Sequence, residues 1–285
     1  MNAVLKTFVA EEQMTMPSSS ETQRPPIRLR LFSLSKRVLA RAHRLIEALH
    51  VGFWLGFLDR DQLNGMVFQH YEAAELYQTA AHNLYGFFPW ESEVMQDHFN
   101  RCRSVVVAAA GGGREMIALA QTGVRVEGFE CNPQLVEKCK EFLSEAGVSG
   151  RILAAAPDQV PSGLQKYDGA IVGCGALAHI VGRTKRINFL RDLKNHLHPR
   201  APLMLSVGRR PEGAQYYNWI YQIARAIRFL RGSADAIELG DDLLDCFTHR
   251  FVKSELRSDL QEAGFTVLVS VETAELYTVA QLLSD

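Results

Sequence analysis

Val105-Val-Val-Ala-Ala-Ala-Gly-Gly-Gly-Arg-Glu115 is an unbroken apolar run that ends in three glycines and opens at once into an amphipathic stretch, Arg114 to Thr122. A short apolar run closed by glycine predicts a strand buried on both faces. Glycines at 111, 112 and 113 let the main chain take turns closed to other residues and approach a ligand closely. A helix starting directly after them offers its unpaired N–H groups at the same spot. A plain tight turn is the competing reading of the glycines alone.

The next strand, Val124 to Glu130, ends on a carboxylate. An acid there, one strand after a glycine turn, can accept hydrogen bonds from both hydroxyls of a ribose. Beyond the third strand, Ala154-Ala-Ala-Pro-Asp-Gln-Val160 places Asp158 where its side chain can reach an adenine amino group. Glycine turn and acid, on successive strand ends, predict a nucleoside site.

Strands are expected at about 104–110, 124–130, 151–156, 168–173, 202–207, 266–271 and 276–282, alternating with amphipathic helices. This is the pattern of a mostly parallel sheet. Asn132 can cap a helix with Pro133 in its first turn and Leu135, Val136, Cys139, Phe142 and Leu143 on one face, stopped by Gly147. Ser254 to Ala263 forms another, ending at Gly264. The last two strands lie too close for a helical crossover, so they must pair antiparallel.

Ahead of the sheet, residues 1–26 offer little to bury and read as a tail. A helix is expected over Ile27 to His50 and a second stretch over Arg60 to Leu84, followed by Tyr85-Gly-Phe-Phe-Pro-Trp-Glu91, where Gly and Pro break the pattern. Together 27–100 make a helical cap over a domain spanning 101–285. Residues 211–248 form a helical insertion whose aromatics at 216–221 should join the cap in roofing an acceptor pocket.

The chain has 285 residues and a formal net charge of -1, so no global basic field favours a stable nucleic-acid partner. One local exception stands out. Between Arg24 and Arg44 there is no acidic residue, and Lys36, Arg37, Arg41 and Arg44 alternate with Leu34, Val38, Leu39 and Ala42. Such a helix either contacts an anionic surface or turns a solvated outer face to water. The five cysteines, at 102, 131, 139, 174 and 246, form no C-x-x-C pair and read as reduced thiols in a cytoplasm. Glu11 and Glu12 interrupt any signal-peptide core.

From Arg103 to Leu283 these residues resemble the catalytic domain of class I S-adenosylmethionine-dependent methyltransferases. The resemblance implies a Rossmann-like, mostly parallel seven-stranded sheet with an antiparallel last strand. It implies that Ala109, Gly111 and Gly113 fill the glycine positions of the first motif, Glu130 the ribose acid and Asp158 the adenine-side acid. Gly112, Cys131 and Gly173 complete the implied cofactor contacts, with Gly173 to Ile180 at the place of the fourth motif. The leader with its Tyr-Gly-Phe-Phe-Pro-Trp-Glu stretch is similar to leaders of uncharacterised bacterial members.

Two departures matter. The family usually carries an acid at the position of Val107 and a glycine at that of Ala109, so the amino-acid end of the cofactor must be met differently, with Glu115, Tyr85 and Glu91 as candidates. No Asn-Pro-Pro-Tyr-type sequence follows the fourth strand, which argues against methylation of an adenine or glutamine nitrogen.

Methyl transfer from a sulfonium needs alignment in a dry pocket more than a catalytic constellation. Where the acceptor is a hydroxyl or protonated amine, His179 and His249 are the candidate bases; both are also readable as loop-orienting residues. The expected acceptor is a small molecule with an O, N or S nucleophile. Two other readings stand beside it: an adenosyl-cofactor enzyme of non-methyl chemistry, such as aminopropyl transfer, and a nicotinamide-dependent dehydrogenase. For the last, Met116 stands where a third glycine belongs. Neither metal site nor oligomeric state is indicated.

Overall fold

The computed structural model describes residues 26–273 and 275–282. The chain divides into two compact units, residues 1–44 and residues 45–285. The tail expected at 1–26 lies outside the described residues save for Pro26. What is described of the first unit is the opening stretch of helix α1, which spans Ile27–Phe57.

The second unit continues with α2 (Arg60–Ala73), a single 3-10 turn (Glu75–Gln78), α3 (Ala80–Asn83) and α4 (Pro89–His98). Asp59 and Gln62 start α2 with a reciprocal pair of hydrogen bonds, 2.8 and 3.0 Å. The helical stretch expected from Arg60 to Leu84 breaks at Ala74, whose backbone is extended. Asn83 Nδ2 then donates to the Tyr77 and Thr79 carbonyls, both at 2.9 Å, and closes the lid back on itself. Pro89, which the sequence pattern suggests as a breaker, instead occupies the first turn of α4, where its missing N–H costs nothing. Glu91 accepts the Phe88 N–H at 2.7 Å to complete that start.

The sheet follows: β1 (Ser104–Ala108), α5 (Arg114–Gln121), β2 (Arg125–Glu130), α6 (Pro133–Glu145), β3 (Arg151–Ala154), β4 (Gly169–Val172), α7 (Arg183–Lys194) and β5 (Pro202–Gly208). Then come α8 (Gln215–Arg231), β6 (Asp241–Leu243), β7 (Phe247–His249), α9 (Lys253–Ala263), β8 (Phe265–Glu272) and β9 (Glu275–Leu282). The seven-stranded sheet has the order β3-β2-β1-β4-β5-β9-β8. Its first five strands run parallel, β9 is antiparallel to β5, and β8 is antiparallel to β9, as the short connection between the last two strands requires.

Alternation along β1 sends Val106 and Ala108 to one face and Val105 and Val107 to the other. The first pair packs with Ile187, Leu190 and Leu193 of α7 and Leu256 and Leu260 of α9. The second packs with Met116 and Ile117 of α5 and Val136, Cys139 and Phe142 of α6. Val107 is fully buried in that apolar layer, where burying a valine contributes about 1.5–3 kcal/mol. An acid in its place would face the same methyl groups unpaired.

The insertion departs from expectation. It holds a helix and also the two-stranded β6–β7 hairpin, whose three-residue strands are too short to leave a period in the sequence. Helix α8 packs against the end of α1 instead of roofing a pocket. A Cβ at Gly52 or Gly56 would collide with Ile223, Ile227 and α8 backbone, so these two glycines form the seat, and α1 runs past His50 to present them.

Candidate active site

Where β1 ends, Ala109 turns to φ 52°, Gly111 to φ 54° and Gly113 to φ 96°, and the Ala110 N–H donates to the Phe129 carbonyl at 3.1 Å. The turn lies against the end of β2. There the buried Glu130 carboxylate accepts three backbone N–H groups, from Gly111 (2.9 Å), Cys131 (2.8 Å) and Asn132 (2.9 Å). Above this floor opens a cavity of about 420 Å³, within the range of small-ligand sites. Ala109, Gly111, Gly112, Glu115, Glu130, Cys131, Asp158, Gly173 and His179 line it. Its roof is the lid between α2 and α4, with Phe68, Tyr71, Tyr77, Phe88 and Trp90, and no residue of 211–248 lines it.

The lid presses on the glycine turn. A Cβ at Gly112 would land on the Asn83 side-chain oxygen and the Tyr77 carbonyl, and one at Gly173 on the Ala109 carbonyl. Gly113 serves the helix and not the ligand, beginning α5 in the left-handed conformation with Cys139 directly beneath, outside the cavity. Asp158, at φ 60°, lies 3.3 Å from Lys185 Nζ.

Two residues that carry no motif signal as ligand contacts also border the cavity. Asn132 caps α6 through Oδ1, which accepts from the Gln134 and Leu135 N–H groups, while its buried Nδ2 has no hydrogen-bond partner. Arg114, also buried, reaches both Glu91 oxygens at 2.6 and 2.7 Å, Glu115 at 2.7 Å and the Gly86 carbonyl at 2.9 Å, and lies 4.0 Å from the centre of the Phe88 ring. Burial works against the Arg114 charge, but Glu91 and Glu115 more than offset it and hold its pKa above the ordinary value. Burial raises the Glu115 carboxyl, with Arg114 pulling it back. One cation thus stands between two carboxylates beside the cavity. Glu91 acts through Arg114 and does not line the cavity itself.

His179 Nδ1 lies 2.7 Å from the Phe247 carbonyl. A carbonyl only accepts, so Nδ1 carries the proton and Nε2 keeps its lone pair. Burial lowers the His179 pKa and favours the neutral ring, which meets Tyr71 edge-on at 5.4 Å. The β6–β7 hairpin therefore fixes a tautomer, a role invisible in the sequence.

Besides Gly113 and Glu91, two more candidates fall outside the cavity. Tyr85 is 62% exposed, its ring beside Phe88. His249 is completely buried between Asp241 (2.7 Å to Nδ1) and Glu255 (2.9 Å to Nε2). Burial opposes its charge, but those two hydrogen bonds outweigh it and raise the pKa. With both nitrogens donating, His249 has no lone pair to serve as base or as ligand to a metal beside Glu238 and Glu255. It is a charged pin between hairpin and α9.

No family model matches the chain, and no curated protein matches it in sequence. Solved structures match its fold. A 1,6-didemethyltoxoflavin-N1-methyltransferase from Burkholderia thailandensis, bound to 1,6-didemethyltoxoflavin and S-adenosylhomocysteine, is 18% identical over 78% of this chain and 88% of its own, with a TM-score of 0.55. A SAM-dependent methyltransferase from Methanosarcina mazei is 17% identical over 70% of this chain and 100% of its own, at 0.52. The magnesium protoporphyrin IX methyltransferase of Synechocystis, with SAM bound, is 15% identical over 79% and 98%, at 0.51. The likeness is one of fold: this chain has the Rossmann-like fold of class I methyltransferases.

Proposed function

We propose that the chain is an S-adenosylmethionine-dependent methyltransferase acting on a small organic acceptor with an oxygen, nitrogen or sulfur nucleophile. The observation that carries the reading is the pairing of Glu130 with the Gly111 turn on the floor of one open cavity. Both Glu130 oxygens already accept backbone N–H groups, which fixes the carboxylate; the lone pair left on the oxygen that takes only the Gly111 N–H faces a ribose hydroxyl.

Three further features suit the cofactor. The orphaned Asn132 Nδ2 is a buried donor beside Glu130, and such groups take a partner when a ligand supplies one. Asp158 and Lys185 stand at the adenine side. Two carboxylates, Glu91 and Glu115, against the single cation of Arg114 suit a cationic ligand, which answers the lack of an acid at Val107.

When bound, the cofactor supplies a methyl group activated by its sulfonium. The chain orients and dries the site. Tyr71, Tyr77, Phe88 and Trp90 exclude water and offer flat apolar surface to an aromatic acceptor; the Burkholderia neighbour is crystallised with the small molecule 1,6-didemethyltoxoflavin. His179 Nε2 takes the proton of a hydroxyl or ammonium acceptor.

Calorimetry of the purified chain with S-adenosylmethionine, S-adenosylhomocysteine and NAD tests the reading. Binding of both adenosyl compounds and none of NAD is expected. Heat from NAD, with no response to either adenosyl compound, overturns it.

A further inference from the structure

The described part of the first unit, residues 26–44, carries an exposed apolar stripe. Ile27, Leu31, Leu34 and Val38 follow one another at helical spacing along α1, each between 57% and 75% exposed. Exposed apolar residues scattered singly are ordinary, but a continuous stripe marks a surface meant for contact.

Charge chooses among the occupants. Arg28, Arg30, Lys36, Arg37, Arg41 and Arg44 lie on the same stretch, and no acidic residue lies between Ile27 and Arg44. Arg30, Arg37, Arg41 and Arg44 recur at helical spacing along one flank of the stripe. A second copy docked through this face would bring two wholly basic flanks together with no carboxylate on the stretch to offset them. Nucleic acid would meet the cations and leave the stripe uncovered. An anionic lipid surface satisfies both, taking the apolar side chains into the acyl boundary while phosphates meet the guanidinium groups. No described helix is long and apolar enough to cross a membrane, so contact would be in the plane of the surface.

We propose that residues 27–44 form an amphipathic helix that docks this protein on an anionic lipid surface. The stretch is roughly 27 Å long at the rise of an α-helix, enough for all four stripe residues to engage together. This proposal is independent of the reaction assigned to the cavity.

Co-sedimentation of the full chain with vesicles of phosphatidylcholine alone, or with about a third phosphatidylserine, tests it. Binding to the anionic vesicles only, weakened by salt, is expected. Arg37→Gln and Arg41→Gln should each weaken it by about fivefold at low salt. The pair Leu34→Gln and Val38→Gln should abolish it with every cation still present. All four side chains are exposed, so the melting midpoint should stay at the wild-type value, which separates lost docking from lost fold. No binding to anionic vesicles, or equal binding to neutral ones, overturns the proposal. So does a concentration-dependent dimer that the Leu34/Val38 pair dissolves, or RNA binding to which that pair is indifferent.

Discussion

Replacing Glu130 by glutamine exchanges one oxygen for an amide nitrogen and leaves the shape intact. In the wild type, one oxygen accepts from Gly111 and the other from both Cys131 and Asn132. The amide oxygen should therefore turn to the side with two donors, leaving the NH2 group facing the Gly111 N–H. One buried donor then lacks its acceptor, at about 1–3 kcal/mol. At about 2–4 °C per kcal/mol for a domain of this size, the ligand-free protein should melt about 2–12 °C lower. Binding suffers separately. The ribose hydroxyl that bonded the charged oxygen on the Gly111 side meets an amide NH2 group instead, a loss of about 2–3 kcal/mol, or about 30–150-fold in Kd for S-adenosylhomocysteine. Differential scanning fluorimetry reads the first effect and titration calorimetry the second. A Kd within about twofold of wild type would refute the ribose assignment. An unchanged melting midpoint would refute the weight placed on the three N–H bonds.

Ala109→Gly should stabilise the protein. A left-handed alanine costs about 1–2 kcal/mol, and the added freedom of glycine in the unfolded chain returns about 0.4–1, for a net gain of about 0.5–1 kcal/mol in urea unfolding. His179→Gln should lower kcat on a hydroxyl acceptor by about 10²–10⁴-fold with little change in cofactor affinity. Because burial lowers the His179 pKa, the wild-type rate should rise with pH and level off below the ordinary histidine value of about 6.5; the variant should lose that acid limb, and a limb that persists counts against the base role. His249→Gln leaves the buried Asp241 without its cation, while Glu255 keeps Arg210 at 3.2 Å, a loss of about 3–5 kcal/mol. Since the folded pKa of His249 lies above the unfolded one, its contribution is full below about pH 6.5 and fades as pH climbs through the folded value. The stability gap between wild type and variant should thus narrow as pH rises above about 6.5, and a gap that widens would reject the charged pin.

Local patterns carried much of the fold into view. The apolar runs of β1, β4 and β5 are fully or largely buried strands, and the helix capped by Asn132 stops where Gly147 turns left-handed. The glycine turn and Glu130 meet because two neighbouring parallel strands in register bring their ends together, and that much follows from order along the chain. Tyr85 and His249 depart from expectation for one reason. Each sits near the site in sequence or motif order, yet its environment is set by distant partners: solvent for Tyr85, Asp241 and Glu255 for His249.

By itself the amino-acid order determined the strand and helix periods, the glycine-to-acid spacing, and the basic, acid-free stretch before residue 45. Only the tertiary structure decided that the roof comes from α2 to α4 and not from the insertion, that Asn83 covers Gly112, and that Phe247 sets the His179 tautomer. Periodicity is written into neighbouring residues and survives without a fold. A cavity wall is assembled by close packing across long sequence separations, where single atoms such as the missing Cβ of Gly112 determine which segments can meet.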